Sequence, residues 1–140
     1  MRVRAWGAAA AVALGGCAAE PSAPSTYEPV SPPATYRDWF GKTEACSGLS
    51  GDFDRIRWYV VPGSEFACPS GACAARWIDD HRIFVAQAYL ANELVVRHEM
   101  LHDLIGHAGH PDPPFGSSGC GLTWSSWSGR LVPLPGSRID

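Results

Sequence analysis

Positive charge is scarce in this chain. From Cys17 onward there are 9 Lys+Arg against 14 Asp+Glu, and the whole chain carries a formal charge of −3. No basic patch can be drawn from so few cations, which argues against nucleic acid as a partner. Long apolar runs are missing as well. The run from Trp6 to Leu14 falls far short of the roughly 20 apolar residues a spanning helix needs. The sequence free of leader-like and Pro-rich composition is also short, residues 36–125, and a core of that size is marginal without cross-links. Two further absences lie late in the chain: no glutamate follows Glu99, and no methionine follows Met100.

What is present begins with a leader. Arg2 and Arg4 form a basic start, a small-and-apolar run follows, and Leu14-Gly15-Gly16-Cys17 matches the bacterial lipobox L-x-[GA]-C. The expectation is a lipoprotein signal peptide over 1–16, cleavage before Cys17, and lipidation of Cys17, with membrane attachment by acyl chains. An ordinary export signal with a chance cysteine is the rival; either exports the protein. Ala18 after the cysteine resembles outer-membrane rather than inner-membrane lipoproteins. Residues 17–35, with Pro21, Pro24, Pro29, Pro32 and Pro33 among Ala, Ser and Thr, read as an extended tether. The folded domain is expected over 36–125 and a flexible tail over 126–140.

Cross-links are available. Cys46, Cys68, Cys73 and Cys120 are an even set in an exported small domain, which reads as two disulfides. Three pairings exist. The favoured one is Cys68–Cys73, closing a short Pro/Gly loop, with Cys46–Cys120 tying the first segment to the region after the histidines. A second metal site built on the Cys68/Cys73 pair is the rival.

The chemistry concentrates in Arg97–His110, which holds four of the five histidines. His98-Glu99-Met100-Leu101-His102 is H-E-x-x-H. On an α-helix, residues i and i+4 lie about 40° apart around the axis and about 6 Å apart along it, so His98 and His102 can converge on one ion. Glu99 can take a proton from a water on that ion. The surroundings are those of a helix. Asn92 is a suitable N-cap and Glu93 suits the first turn. Leu94, Leu101, Leu104 and Ile105 recur at helical spacing, Gly106 is a stop, and Pro111 forbids continuation. The competing interpretation is an amphipathic helix with solvated histidines.

The rest of the domain reads as α+β. Tyr36, Trp39 and Phe40 predict a helix over 36–46, and Gly-rich 47–54 predicts a turn. Ile56–Val61 predicts a strand ending at Pro62-Gly63, and Ile83–Ala88 a second strand leading into the metal helix. Trp77-Ile78 is a possible short strand beside it. Residues 62–76 read as a Cys-containing loop.

A strand leading to an H-E-x-x-H helix in a compact α+β domain resembles the zincin metallopeptidases. The resemblance is closer to small bacterial lipoproteins similar to trimmed zincins: His98–Leu104 as H-E-M-L-H-D-L, then Gly109-His110-Pro111, Phe115 and Cys120-Gly121. It implies a short twisted sheet packed on the active-site helix, and Ile83–Gln87 as the edge strand against which a peptide lies. The zincin class with a later Glu ligand does not fit, because Glu99 is the last glutamate. The metzincin pattern H-E-x-x-H-x-x-G-x-x-H is departed from, since Ile105 and Ala108 stand at its Gly and His positions, and its Met-turn has no methionine to form it.

Geometry favours His110 as the third ligand over His107. His107 would point about 140° away from His102 if the helix ran on, whereas Gly106 and Gly109 can turn the chain back before His110. Asp112 ranks third. The expected activity is zinc-dependent peptide hydrolysis at the bacterial envelope, on a peptide or protein substrate, by a monomer. Zn²⁺ is held by His98, His102 and His110, with Glu99 as base and His107 or Tyr89 as candidate oxyanion donors. Asp103 orients a ligand, faces solvent, or pairs with a cation on its helix. Trp58, Trp77, Trp124 and Trp127 line a cleft or fill the core. The alternative function is a non-catalytic, zinc-stabilised lipoprotein that binds a partner; a disulfide-held lipoprotein without metal is the third reading.

Overall fold

A computed structural model of the chain describes residues 23–129 and 138–139. The expected signal peptide, Cys17 and the first part of the tether lie outside these residues. The order is β1 (Glu28–Pro29), α1 (Ala34–Ser47), β2 (Arg57–Val61), β3 (Phe66–Cys68), β4 (Gly71–Ile78), β5 (Arg82–Ala86), α2 (Glu93–Ile105) and β6 (Arg138–Ile139). The architecture is α+β: a sheet in the order β1-β2-β5-β4-β3, with β6 added on β4, and two helices. No helix among the described residues is long and apolar enough to cross a membrane.

The helices end where local chemistry stops them. In α1, Tyr36, Phe40 and Thr43 recur four and three apart and are the buried positions. Gly48 takes a left-handed conformation, φ 70°, and donates its N–H to the Glu44 carbonyl. In α2 the Asn92 side chain caps the Val95 N–H, and Gly106 closes the last turn at φ 73°, donating to the His102 carbonyl. A side chain at Gly106 would carry the left-handed penalty that glycine escapes.

β5 is the centre of the sheet. It runs parallel to β2, from Arg57↔Arg82 to Val61↔Ala86, and antiparallel to β4, from Ala75↔Val85 to Ile78↔Arg82. Ile83, Phe84, Val85 and Ala86 are all buried, so both faces of β5 are covered. This corrects the assignment of Ile83–Gln87 as an edge strand: β2 and β4 flank it on either side, and Gln87 starts a single 3-10 turn, Gln87–Tyr89. The main core joins Trp58, Ile78, Ile83 and Val85 to Tyr36 and Phe40 of α1 and Val95, Val96 and Met100 of α2. A second cluster packs Leu94 and Leu101 of α2 against Phe115 and Leu122. The two helices are joined by a buried polar contact, Arg97 Nε donating to Thr43 Oγ1 at 3.0 Å.

Three further boundaries differ from the sequence reading. Residues 62–76 are not a loop but contain the β3–β4 hairpin, because Phe66 and Cys73 are buried across from one another. The fold also starts earlier than Tyr36. Glu28 and Pro29 pair with Val60 and Tyr59 on the sheet edge, and the Tyr27 ring meets Tyr59 and Phe84 edge-on at 5.2 and 5.0 Å. Proline is tolerated at this position because an edge strand leaves one side of its backbone unpaired. Within the segment read as a tail, Arg138 and Ile139 lie on β4. Both disulfides take the favoured pairing, Cys46–Cys120 and Cys68–Cys73.

Candidate metal centre

His98 and His102 project from the buried side of α2, each almost wholly shielded from solvent, while His110 reaches the same point from the exposed loop beyond it. Their Nε2 atoms form a triangle: 2.9 Å from His98 to His110, 3.1 Å from His98 to His102, and 3.2 Å from His102 to His110. Three nitrogens at 2.0–2.1 Å from a tetrahedral ion would stand about 3.3–3.4 Å apart, slightly wider than this triangle.

The other ring nitrogens say what the triangle is for. His98 Nδ1 lies 2.6 Å from the Leu122 carbonyl and His102 Nδ1 3.0 Å from the His107 carbonyl. A carbonyl only accepts, so each Nδ1 is the protonated nitrogen and each Nε2 of the neutral ring presents a lone pair. Two such Nε2 lone pairs, 3.1 Å apart, can be bridged by one cation. A ligand histidine that donates its second nitrogen to a carbonyl is the arrangement expected around a metal. His98, His102 and His110 therefore form a group that can hold a metal ion.

His107 contributes through its backbone. Its ring is exposed and its Nδ1 accepts the Gly109 N–H at 3.0 Å. His107, the sequence alternative as third ligand, is not part of the three-histidine group. Asp112 is likewise spent on a turn, accepting from Ser118 Oγ at 2.6 Å.

The loop 111–122 builds one wall. Phe115 is buried against all three imidazoles, with ring centroids 4.8, 4.6 and 4.9 Å from His98, His102 and His110. Its position follows from a set of turns in which Leu122 donates to the Phe115 carbonyl and Cys120 to that of Pro114, each at 2.7 Å. A Cβ on Gly119 would come within 2.4 Å of the Pro114 carbonyl oxygen, so only glycine fits there. The Cys46–Cys120 disulfide fastens this loop to α1, two residues before the carbonyl that orients His98.

The opposite wall is β4. Glu99 is fully buried, and its Oε2 accepts the backbone N–H of Trp77 at 2.5 Å. The Trp77 indole donates to Asp103 Oδ1 at 2.9 Å and stacks at 26° to the His102 ring, centroids 6.4 Å apart. Asp103 also meets His81 Nδ1, 3.0 Å from Oδ1. This corrects the expectations for Asp103. It neither faces solvent nor pairs along its own helix, because its side chain is 5 % exposed and reaches across to the sheet. A cleft of about 440 Å³ opens between these walls, bounded by Arg76, Trp77 and Ile78 on one side and His102, His110 and Ala108 on the other.

Tyr89 is buried in the main core cluster and is not among the residues bounding the cleft. Trp77 bounds the cleft, Trp58 is core, and Trp124 and Trp127 pack on the second cluster. The groups that sequence reasoning missed are the Trp77 backbone amide, His81 and the carbonyls of Leu122 and His107. Backbone groups carry no identity in a sequence, and His81 lies 17 residues before the motif with nothing local to mark it. Comparison of the chain with protein families, with characterised proteins and with solved structures finds no match in any of the three.

Proposed function

We propose that the protein is a zinc-dependent, zincin-like metallopeptidase. The observation that carries this reading is the pairing of a three-histidine cluster with one buried glutamate. Three neutral imidazoles suit Zn²⁺, and three protein ligands leave a tetrahedral ion one position for water or substrate. A zinc ion held there would lower the pKa of a water to about 7 and polarise a peptide carbonyl.

The chain's own groups do the rest. Glu99, held by the Trp77 N–H, accepts the proton of the attacking water and returns it to the departing amine. His98 and His102 keep their tautomers through the carbonyls of Leu122 and His107, so their lone pairs stay aimed at one point. Phe115 excludes water from behind the imidazoles. The cleft beside β4 has room for one side chain of an extended peptide. A non-catalytic structural zinc is less favoured, because such sites close with four protein ligands and His107 is turned away. Envelope attachment through Cys17, preferentially to the outer membrane, and a monomeric state belong to the same proposal.

The test is Glu99→Gln on the zinc-loaded full chain, against a peptide library. The amide still accepts from Trp77 but cannot take a proton, so hydrolysis should fall by about 10²–10⁴-fold with zinc content unchanged. Equal hydrolysis by the variant, or zinc loss from it, would overturn the role given to Glu99.

A further inference from the structure

Between β4 and β5 the chain turns through Asp79, Asp80 and His81. Asp80 and His81 lie at φ 63° and 57°, the two non-glycine residues with positive φ among the described residues. Glycine takes this left-handed region without crowding and asparagine with little, whereas a histidine there presses its Cβ on the backbone. A residue in such a conformation is held by its surroundings. Here β2 supplies them. The Arg57 N–H donates to the His81 carbonyl at 2.7 Å, and the Arg57 guanidinium donates to the Asp80 carbonyl at 2.6 Å and to the Asp80 carboxylate. The imidazole is thereby aimed at α2, where its Nδ1 lies 3.0 and 3.1 Å from the two oxygens of Asp103. A carboxylate accepts, so the His81 Nδ1–H donates.

Asp103 and Glu99 stand four residues apart on α2 and so share one side of it. They hold the same residue by its two N–H groups. Glu99 Oε2 accepts the Trp77 backbone N–H at 2.5 Å, and Asp103 Oδ1 accepts the Trp77 indole N–H at 2.9 Å. The indole itself stacks on His102. We infer that His81 is a positioning residue of this centre: it fixes the Asp103 carboxylate, which fixes the Trp77 indole, and a fixed Trp77 keeps its backbone N–H on Glu99. His81 stands outside the three-histidine group, so its effect reaches the site through Asp103 and Trp77. Without the imidazole, Asp103 keeps the Trp77 indole as its one side-chain partner among the described residues. The carboxylate is then free to rotate, the indole with it, and Glu99 loses its fixed donor. A base displaced by as little as about 1 Å costs rate. The effect on hydrolysis rests on the peptidase reading; the fixing of Trp77 does not.

The experiment compares the full wild-type chain with His81→Gly and His81→Asn. Glycine keeps the turn and removes the donor; asparagine also accepts the left-handed backbone and returns an N–H donor. A residue that only shapes the turn would be replaced by glycine without effect. Hydrogen exchange at the Trp77 backbone and indole N–H groups is read by NMR, metal-free and with zinc. Both groups should exchange at least about tenfold faster in His81→Gly and return to within about threefold of wild type in His81→Asn, with Phe84 and Val85 of β5 unchanged. Unchanged Trp77 exchange in His81→Gly, or no recovery in His81→Asn, overturns the inference. On the zinc-loaded chains kcat should fall about tenfold in His81→Gly and recover in His81→Asn. Zinc affinity should stay within about threefold in both, because His98 and His102 keep their carbonyl partners. Equal kcat in His81→Gly, or a tenfold loss of zinc affinity, overturns the route through Glu99. Absence of hydrolysis in all three chains, with Trp77 responding as expected, would defeat the peptidase reading and leave His81 as the residue that fixes Trp77.

Discussion

Replacing His110 by alanine separates the metal site from the fold that carries it. His110 is exposed on a loop, so its truncation costs little packing, and surface changes of this kind usually stay within about 0.5 kcal/mol. A zinc ion held by the cluster would, however, lose one of three nitrogens. Closed four-ligand sites bind with about 10–16 kcal/mol, so one ligand accounts for roughly 3 kcal/mol, about two decades in affinity. With free zinc buffered at 100 times the wild-type Kd, the wild-type chain gains about 2.7 kcal/mol and His110→Ala only about 0.4 kcal/mol. For a domain of this size, 1 kcal/mol moves Tm by about 4–8 °C, so zinc should raise Tm by about 10–20 °C in wild type and about 2–3 °C in the variant. The assay is thermal unfolding in zinc-buffered and chelator solutions, with metal analysis of the same samples. His107→Ala serves as the control, since its carbonyl, the group that orients His102, survives the substitution. A full zinc-dependent rise in His110→Ala, or its loss in His107→Ala, would refute the reasoning.

Two other outcomes follow from the scaffold. The Cys46–Cys120 bridge closes a separation of 74 residues and Cys68–Cys73 one of 5. Chain entropy therefore gives about 4.5 and about 2 kcal/mol for their removal, measurable by urea titration of the paired Cys→Ala variants. Loss of the longer bridge should also weaken zinc binding, because it loosens the loop that carries the Leu122 carbonyl. Tyr36 has its pKa raised by burial, and its hydroxyl donates to the Leu90 carbonyl at 2.7 Å. The neutral form is favoured in the folded state, so its contribution is complete below the unfolded value of about 10 and is lost as pH rises through the higher folded value. Stability should fall by up to about 1.4 kcal/mol per pH unit above pH 10, and Tyr36→Phe should flatten that limb in pH-dependent unfolding. An equally steep fall in the variant would assign the alkaline transition elsewhere.

The helix that carries His98 and His102 was legible in the sequence because everything that defines it is local. Asn92 caps it, Gly106 stops it, and the spacing of His98 and His102 places both rings on one side by helix geometry alone. The same holds for α1 and for β2, whose apolar spacing and turn residues act over a few positions. The disulfide pairing was within reach because four cysteines allow only three arrangements. His110 could be preferred over His107 by a turn argument, since two glycines flank that turn.

Tertiary structure decided which strand faces the site. Ile83–Ala86 and Gly71–Ile78 both carry apolar residues, and periodicity does not tell a strand buried between neighbours from one at the border of a cleft. Only the pairing of β5 with both β2 and β4 moved the edge to Trp77, and with it the amide that holds Glu99. The tautomers of His98 and His102 are likewise set by carbonyls 24 and 5 residues away. A carbonyl is present at every residue, so which one a histidine meets depends on how the chain returns, and that is settled by packing.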